Sequence, residues 1–167
     1  MKKSRFITQG ALLAALYVVL THLQNILIPD SASFAIQFRA SEALCVLALF
    51  TPAAIPGLTI GCLLFNISFA GALPLDFLVG SLATLLATAG MYALRKLTVK
   101  GYPIVAMLLP AICNAFLVGW ELSVYIGGAF WLNALYVAIG EAAVLLTLGT
   151  ALYYSLRTRN LDSRLFG

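Results

Sequence analysis

The chain has 167 residues, 62% of them hydrophobic and only 10% charged, with a formal net charge of +4. Soluble domains carry about 25% charged residues, so this composition describes an integral membrane protein and sets aside nucleic-acid binding. The apolar runs are unlike the two-residue alternation of a barrel strand, which leaves helices as the spanning structure.

Six spans of roughly 20 residues use about 120 residues, so the chain reads as one transmembrane domain without a soluble one. After the basic flank Met1 to Arg5, the first span covers 6–27. Ala11 and Ala15 form a small-xxx-small face on it, with Gly10 and Ala14 as a second face alongside. A polar cluster, His22, Gln24 and Asn25, ends it. The second span, 33–51, opens with Arg39 and Glu42, three residues apart and so on one helix face. Pro52 and Pro56 then break or kink the chain. The third span, 53–69, carries the pair Gly57 and Gly61, a GxxxG packing face. Spans two and three are tight for two full crossings, so one of them is short or broken.

Asp76 opens the fourth span, 76–94, whose small residues Gly80, Ala83, Ala87 and Gly90 form a stripe. The fifth, 102–126, is kinked at Pro110, and the sixth covers 130–156. Cys45, Cys62 and Cys113 sit in apolar runs without CxxC spacing, and read as small core residues.

Nine of the ten Lys and Arg lie in the N-terminal flank, the 95–100 loop and the C-terminal tail. Six spans put all three on one side, which the positive-inside rule makes cytoplasmic. The expected fold is therefore an all-α bundle of six transmembrane helices with both termini inside.

That topology gathers the remaining charges near the outer face: Arg39, Glu42, Asp76, Glu121 and, deeper, Glu141. An ionisable residue deep in a span costs roughly 2.5–3.5 kcal/mol on insertion scales, so several carboxylates together call for a use. Arg39 and Glu42 either neutralise each other or serve a ligand. Asp76 is a helix N-terminal residue at the interface or a ligand contact, and Glu121 lies in headgroup water or in a pocket. Asn66 and Asn114 suit interhelical hydrogen bonds and ligand contacts equally. Trp120 and Trp131 fit an interface belt or a stacking platform, and Tyr125, Phe130 and Tyr136 crowd the same half. No phosphate loop, HExxH or GxSxG motif occurs, and no His/Cys cluster has metal spacing. Neither catalysis nor a cofactor is expected.

With these residues on the page, the chain resembles the QueT family, most closely in FRASEALCVLALFTPAAIPG, IGCLLFN, DFLVGSLATLLA, NAFLVGWEL and FWLNALYVAIGE. The resemblance runs from about Phe38 to Gly149. It implies a substrate-binding S component of an energy-coupling factor (ECF) transporter in a prokaryotic cell membrane, with its pocket on the outer side. It also implies docking on a transmembrane coupling protein driven by two ATPase subunits. Ala11 and Ala15 resemble the first-helix AxxxA signature for that docking. The implied ligand is a queuosine precursor, a 7-deazaguanine such as the aminomethyl base preQ1. The substrate-binding residues are then expected among Arg39, Glu42, Asn66, Asp76, Asn114, Glu121, Trp131 and Glu141. Another small amine or vitamin would suit the same groups. A self-sufficient transporter would need an internal repeat or polar stripes through the full depth, and an intramembrane enzyme would need a nucleophile, base or metal set.

Overall fold

The computed structural model describes residues 3–29, 38–69 and 71–166, without the side chains of 162–164. Helix α1, Lys3–Leu27, is followed by a ten-residue 3₁₀ helix, Ala40–Leu49, then α2, Ala54–Ser68, and α3, Asp76–Leu94. Two pieces, α4, Ile104–Met107, and α5, Leu109–Tyr125, form one broken rod. Helix α6, Phe130–Val144, runs through a π-helical turn, Leu145–Gly149, into α7, Thr150–Thr158, and the short α8, Leu161–Phe166, comes last. No strand occurs among the described residues; one isolated bridge joins Val99 and Tyr102.

Among the described residues four stretches are long and apolar enough to cross a membrane: Lys3–Leu27, Asp76–Leu94, Ile104–Tyr125 and Phe130–Thr158. They overlap the expected spans 6–27, 76–94, 102–126 and 130–156. The third expected span, 53–69, is the shorter apolar helix α2. The second, 33–51, begins outside the described residues, and its described part is the 3₁₀ helix rather than an α-helix. A 3₁₀ helix rises about 2.0 Å per residue, so ten residues reach about 20 Å where an α-helix would reach about 15 Å. Pro52 closes this segment, and Pro56 sits in the first turn of α2, where its missing N–H has no intrahelical acceptor to lose. The fifth span breaks at Leu108, two residues before the proline expected to kink it; Pro110 lies in the first turn of α5.

Small residues set the helix spacing. Helices α1 and α2 run parallel and nearly touch: a Cβ on Gly57 would lie 2.6 Å from the Gly10 carbonyl oxygen, and one on Gly61 would lie 2.7 Å from the Tyr17 Cβ. The Gly57/Gly61 face thus packs on the Gly10/Ala14 face, as GxxxG chemistry requires. Gly119 admits α6 in the same way, a Cβ there lying 2.8 Å from the Ala134 Cα. The core around the 3₁₀ helix joins Tyr17, Cys45, Val46, Leu58, Cys62, Phe65, Met107 and Leu145. Cys45 and Cys62 are buried, Cys113 is half-buried, and all three are free thiols.

Successive long elements alternate in direction, so the bundle has two distinct ends. At one, α1 meets α8: Arg5 Nη2 and Gln9 Nε2 donate to the Leu165 carbonyl at 3.1 and 2.7 Å. By the same alternation Arg95, Lys96, Lys100, Arg157 and Arg159 fall at this basic end. The opposite end carries the start of the 3₁₀ helix, the α2–α3 turn and the α5–α6 turn.

Candidate functional site

The acids meet at that opposite end. Arg39, just before the 3₁₀ helix, is 5% exposed; Glu42 in its first turn is 1%, Asp76 at the start of α3 is 8%, Glu121 near the end of α5 is 0%, and Glu141 in α6 is 1%. The elements converge because the turns joining them are short: α2 to α3 through 69–75, and α5 to α6 through 126–129. Glu141 lies eleven residues into α6, about 16 Å along the axis at 1.5 Å per residue, so it is the deepest of the four.

The Arg39 guanidinium is within electrostatic range of Glu42, Asp76, Glu121 and Glu141. Glu141 is likewise within electrostatic range of Glu42, and Glu121 of Asp76. Arg39 Nη1 also lies 3.9 Å from the Cys62 sulfur, and its guanidinium is 5.7 Å from the centre of the Phe65 ring. Among the described residues four buried carboxyl groups share the range of one guanidinium, and burying an unmatched ion costs several kcal/mol.

Hydrogen bonding sorts the acids further. Both Glu42 oxygens are occupied: the Tyr17 hydroxyl donates to Oε1 and the Cys45 thiol to Oε2 at 3.2 Å. Positions i and i+3 eclipse in a 3₁₀ helix, which is why Cys45 stands over Glu42. Asn66 Nδ2 donates to the Asp76 carbonyl oxygen at 2.9 Å. Gly80 makes room for it, since a Cβ there would lie 2.9 Å from that nitrogen. The Asn114 amide is within hydrogen-bonding reach of the Glu141 carboxylate. Both oxygens of Glu121, Oε2 of Glu141 and Oδ1 of Asn66 are buried and find no donor among the described residues. All four are acceptors. Unmatched buried polar atoms cost about 1–3 kcal/mol each, so their concentration in this cluster makes it the candidate site.

Arg39, Glu42, Asn66, Asp76, Asn114, Glu121 and Glu141 therefore lie together. Trp131 does not join them: it is 72% exposed and packs edge-on against Phe130 and Phe116. Trp120 and Tyr125 are also exposed, so these aromatic rings line the outside of the bundle. Ala11 and Ala15 lie elsewhere again, lining an apolar groove of about 490 Å³ between α1 and α2 with Phe6, Ile7, Pro56, Ile60 and Leu64. Sequence reasoning missed Tyr17 and Cys45 as holders of Glu42. The available signal was Tyr17, Thr21 and Gln24, a polar stripe at i, i+4 and i+7 on one face of α1. Among the described residues no group of three or more His, Cys, Asp or Glu could hold a metal ion.

Long apolar helices packed around a buried acidic cluster define a multi-pass membrane protein. The chain belongs to the QueT transporter family, which matches residues 7–158. It is accordingly a membrane transporter, of a transporter rather than an enzyme family. Neither curated proteins nor solved structures gave a match.

Proposed function

We propose that the chain is the substrate-binding S component of an ECF importer in a prokaryotic cell membrane, and that it captures a 7-deazaguanine queuosine precursor such as preQ1 from the outer side. The observation that carries this reading is the set of unmatched buried acceptors on Glu121, Glu141 and Asn66, beside an excess of carboxylates over guanidinium. A guanine-like edge offers N1–H and an N2 amino group as a donor pair for one carboxylate. The aminomethyl group brings a cation for a second. Glu141, the deepest acid, pairs with the edge, where a dry setting strengthens hydrogen bonds. The cation lies nearer Glu121 and Asp76, and Asn66 and Asn114 supply further polar contacts.

The remaining assignments follow the same reading. Six crossings place both termini and the basic end in the cytoplasm. The apolar groove containing Ala11 and Ala15 docks the transmembrane coupling protein, which two ATPase subunits drive. Ala11→Trp with Ala15→Trp is expected to abolish co-purification with that complex while ligand binding survives. A single cysteine at Thr98, on a Cys-free background, is expected to resist labelling from outside intact cells.

Calorimetry against three ligands tests the substrate: preQ1, its neutral 7-cyano analogue, and a preQ1 analogue lacking the 2-amino group. Wild type should prefer preQ1 to both. Glu141→Gln should erase most of the penalty for the missing 2-amino group, and Glu121→Gln most of the preference for the cation. Equal losses for all three ligands in both variants would mean that these acids hold the fold instead.

A further inference from the structure

Gly80 is buried in the second turn of α3, and its backbone does not require glycine: the described glycines with positive φ are Gly101, Gly127 and Gly128. In a helix interior glycine is less stable than alanine. Gly57 and Gly119 face the backbone of a neighbouring helix, where a Cβ has nowhere to go. Gly80 faces side-chain tips instead. A Cβ there would lie 2.9 Å from Asn66 Nδ2, 3.2 Å from Asp76 Oδ1 and 3.6 Å from Cys62 Sγ. The Asn66 amide is turned one way by the same surroundings. Its nitrogen donates to the Asp76 carbonyl oxygen at 2.9 Å and, more weakly, to the Cys62 sulfur at 3.6 Å. A backbone carbonyl only accepts, so the amide atom facing it must be the nitrogen. That leaves Oδ1 on the other side of the amide, buried and without a donor among the described residues.

We propose that Gly80 is a positioning residue of the ligand site: its missing side chain leaves room for the Asn66 nitrogen, and so presents Asn66 Oδ1 as an oriented acceptor for the ammonium group of the ligand, beside Asp76. This rests on the acid cluster being the ligand site. An amide oxygen has lone pairs and no proton, so it serves a donor of the ligand and not an acceptor. An ammonium group carries donors alone; a nitrile in its place carries an acceptor alone. Asn66 therefore favours the amine, and Gly80 acts through Asn66. A methyl group at position 80 would displace the amide with little harm to the fold, because the atoms it meets end movable side chains.

The test is calorimetry of preQ1 and its 7-cyano analogue on the purified full chain, with a melting curve of the ligand-free protein. A hydrogen bond to a charged group is worth about a factor of ten or more, so Gly80→Ala is expected to weaken preQ1 binding about tenfold. The 7-cyano analogue should change less than about threefold. The thermal midpoint should hold or rise, since alanine is the better helix former. Asn66→Ala should lose the same preference for the amine. In that background Gly80→Ala should change preQ1 affinity less than about threefold, because no amide is left to displace. Equal losses for both ligands, a lowered midpoint in Gly80→Ala, or a further tenfold loss in the double variant would each overturn the proposal. If wild type binds neither ligand, the substrate assignment fails, and nuclear magnetic resonance of the ligand-free protein decides on Gly80. The Asn66 side-chain amide signal, identified by its absence from Asn66→Ala, should shift in Gly80→Ala; a signal that stays put overturns the proposal.

Discussion

The two ends of the bundle treat polar groups in opposite ways. At the basic end polar side chains have protein partners: Thr51, 0% exposed, reaches Gln9 at 3.2 Å and accepts the Ala53 N–H at 3.3 Å. Tyr102 and Thr150 pair their hydroxyls at 2.5 Å, and the Arg157 guanidinium lies 5.8 Å from the Tyr153 ring centre. At the acidic end the buried acceptors of Glu121, Glu141 and Asn66 have none among the described residues. Similar burial with different satisfaction separates the two ends: one matches its polar groups within the fold, and the other leaves buried acceptors without a donor among the described residues.

The contrast breaks most visibly if the acids turn out to be structural. Glu121→Gln combined with Glu141→Gln should lower preQ1 affinity about a hundredfold, from roughly 1–3 kcal/mol per unmatched ligand donor. The same pair should leave the thermal midpoint unchanged or higher, because removing buried acids whose oxygens have no donor relieves the empty protein. Calorimetry and a melting curve on one preparation check both signs, and a parallel fall in affinity and midpoint would erase the distinction between the ends. Gly57→Ala should do the reverse. Its Cβ would strike Gly10 backbone, at 2.6 Å from the carbonyl oxygen and 2.9 Å from the Cα. The expected cost is about 1–3 kcal/mol of stability, with ligand affinity in the folded fraction held within about threefold.

Thr51→Val sharpens the comparison with a smaller change. It keeps the shape and removes a hydroxyl that is fully buried and partnered, so about 1 kcal/mol of stability should be lost and ligand affinity should hold. Trp131→Ala is the smallest. Its ring is 72% exposed and touches other rim aromatics, so affinity for preQ1 should stay within about twofold, a near-neutral outcome for an exposed site. A tenfold loss would bring the rim into the binding surface.

Much of this was legible in the sequence because hydropathy and charge report directly on burial in lipid. The start of α3 at Asp76, the start of α6 at Phe130 and the Gly57/Gly61 packing face all follow from residue type and spacing. Glu42, Asp76, Glu121 and Glu141 stand out because charge inside an apolar run is costly. Rotation was not legible. An apolar helix shows little difference between its lipid-facing and core-facing sides, so nothing in the chain said that Trp131 looks outward. The 3₁₀ winding of Ala40–Leu49 was hidden for a related reason: winding here answers to the neighbours packed around the segment, and its residues are ordinary α-helix formers.

That winding bears on how the protein is made. Ten residues reaching about 20 Å fall short of the roughly 30 Å hydrocarbon core, and Arg39 and Glu42 burden the segment's leading end. Such a segment is a poor substrate for independent insertion as it leaves the ribosome. Its natural route is to enter late, pulled in by helices already seated on either side. Biogenesis would then depend on α1 and α2 being in place before the acidic end can exist. Tyr17, whose hydroxyl finally ties it to α1 through Glu42, would act as an assembly contact first and beside the finished site only afterwards.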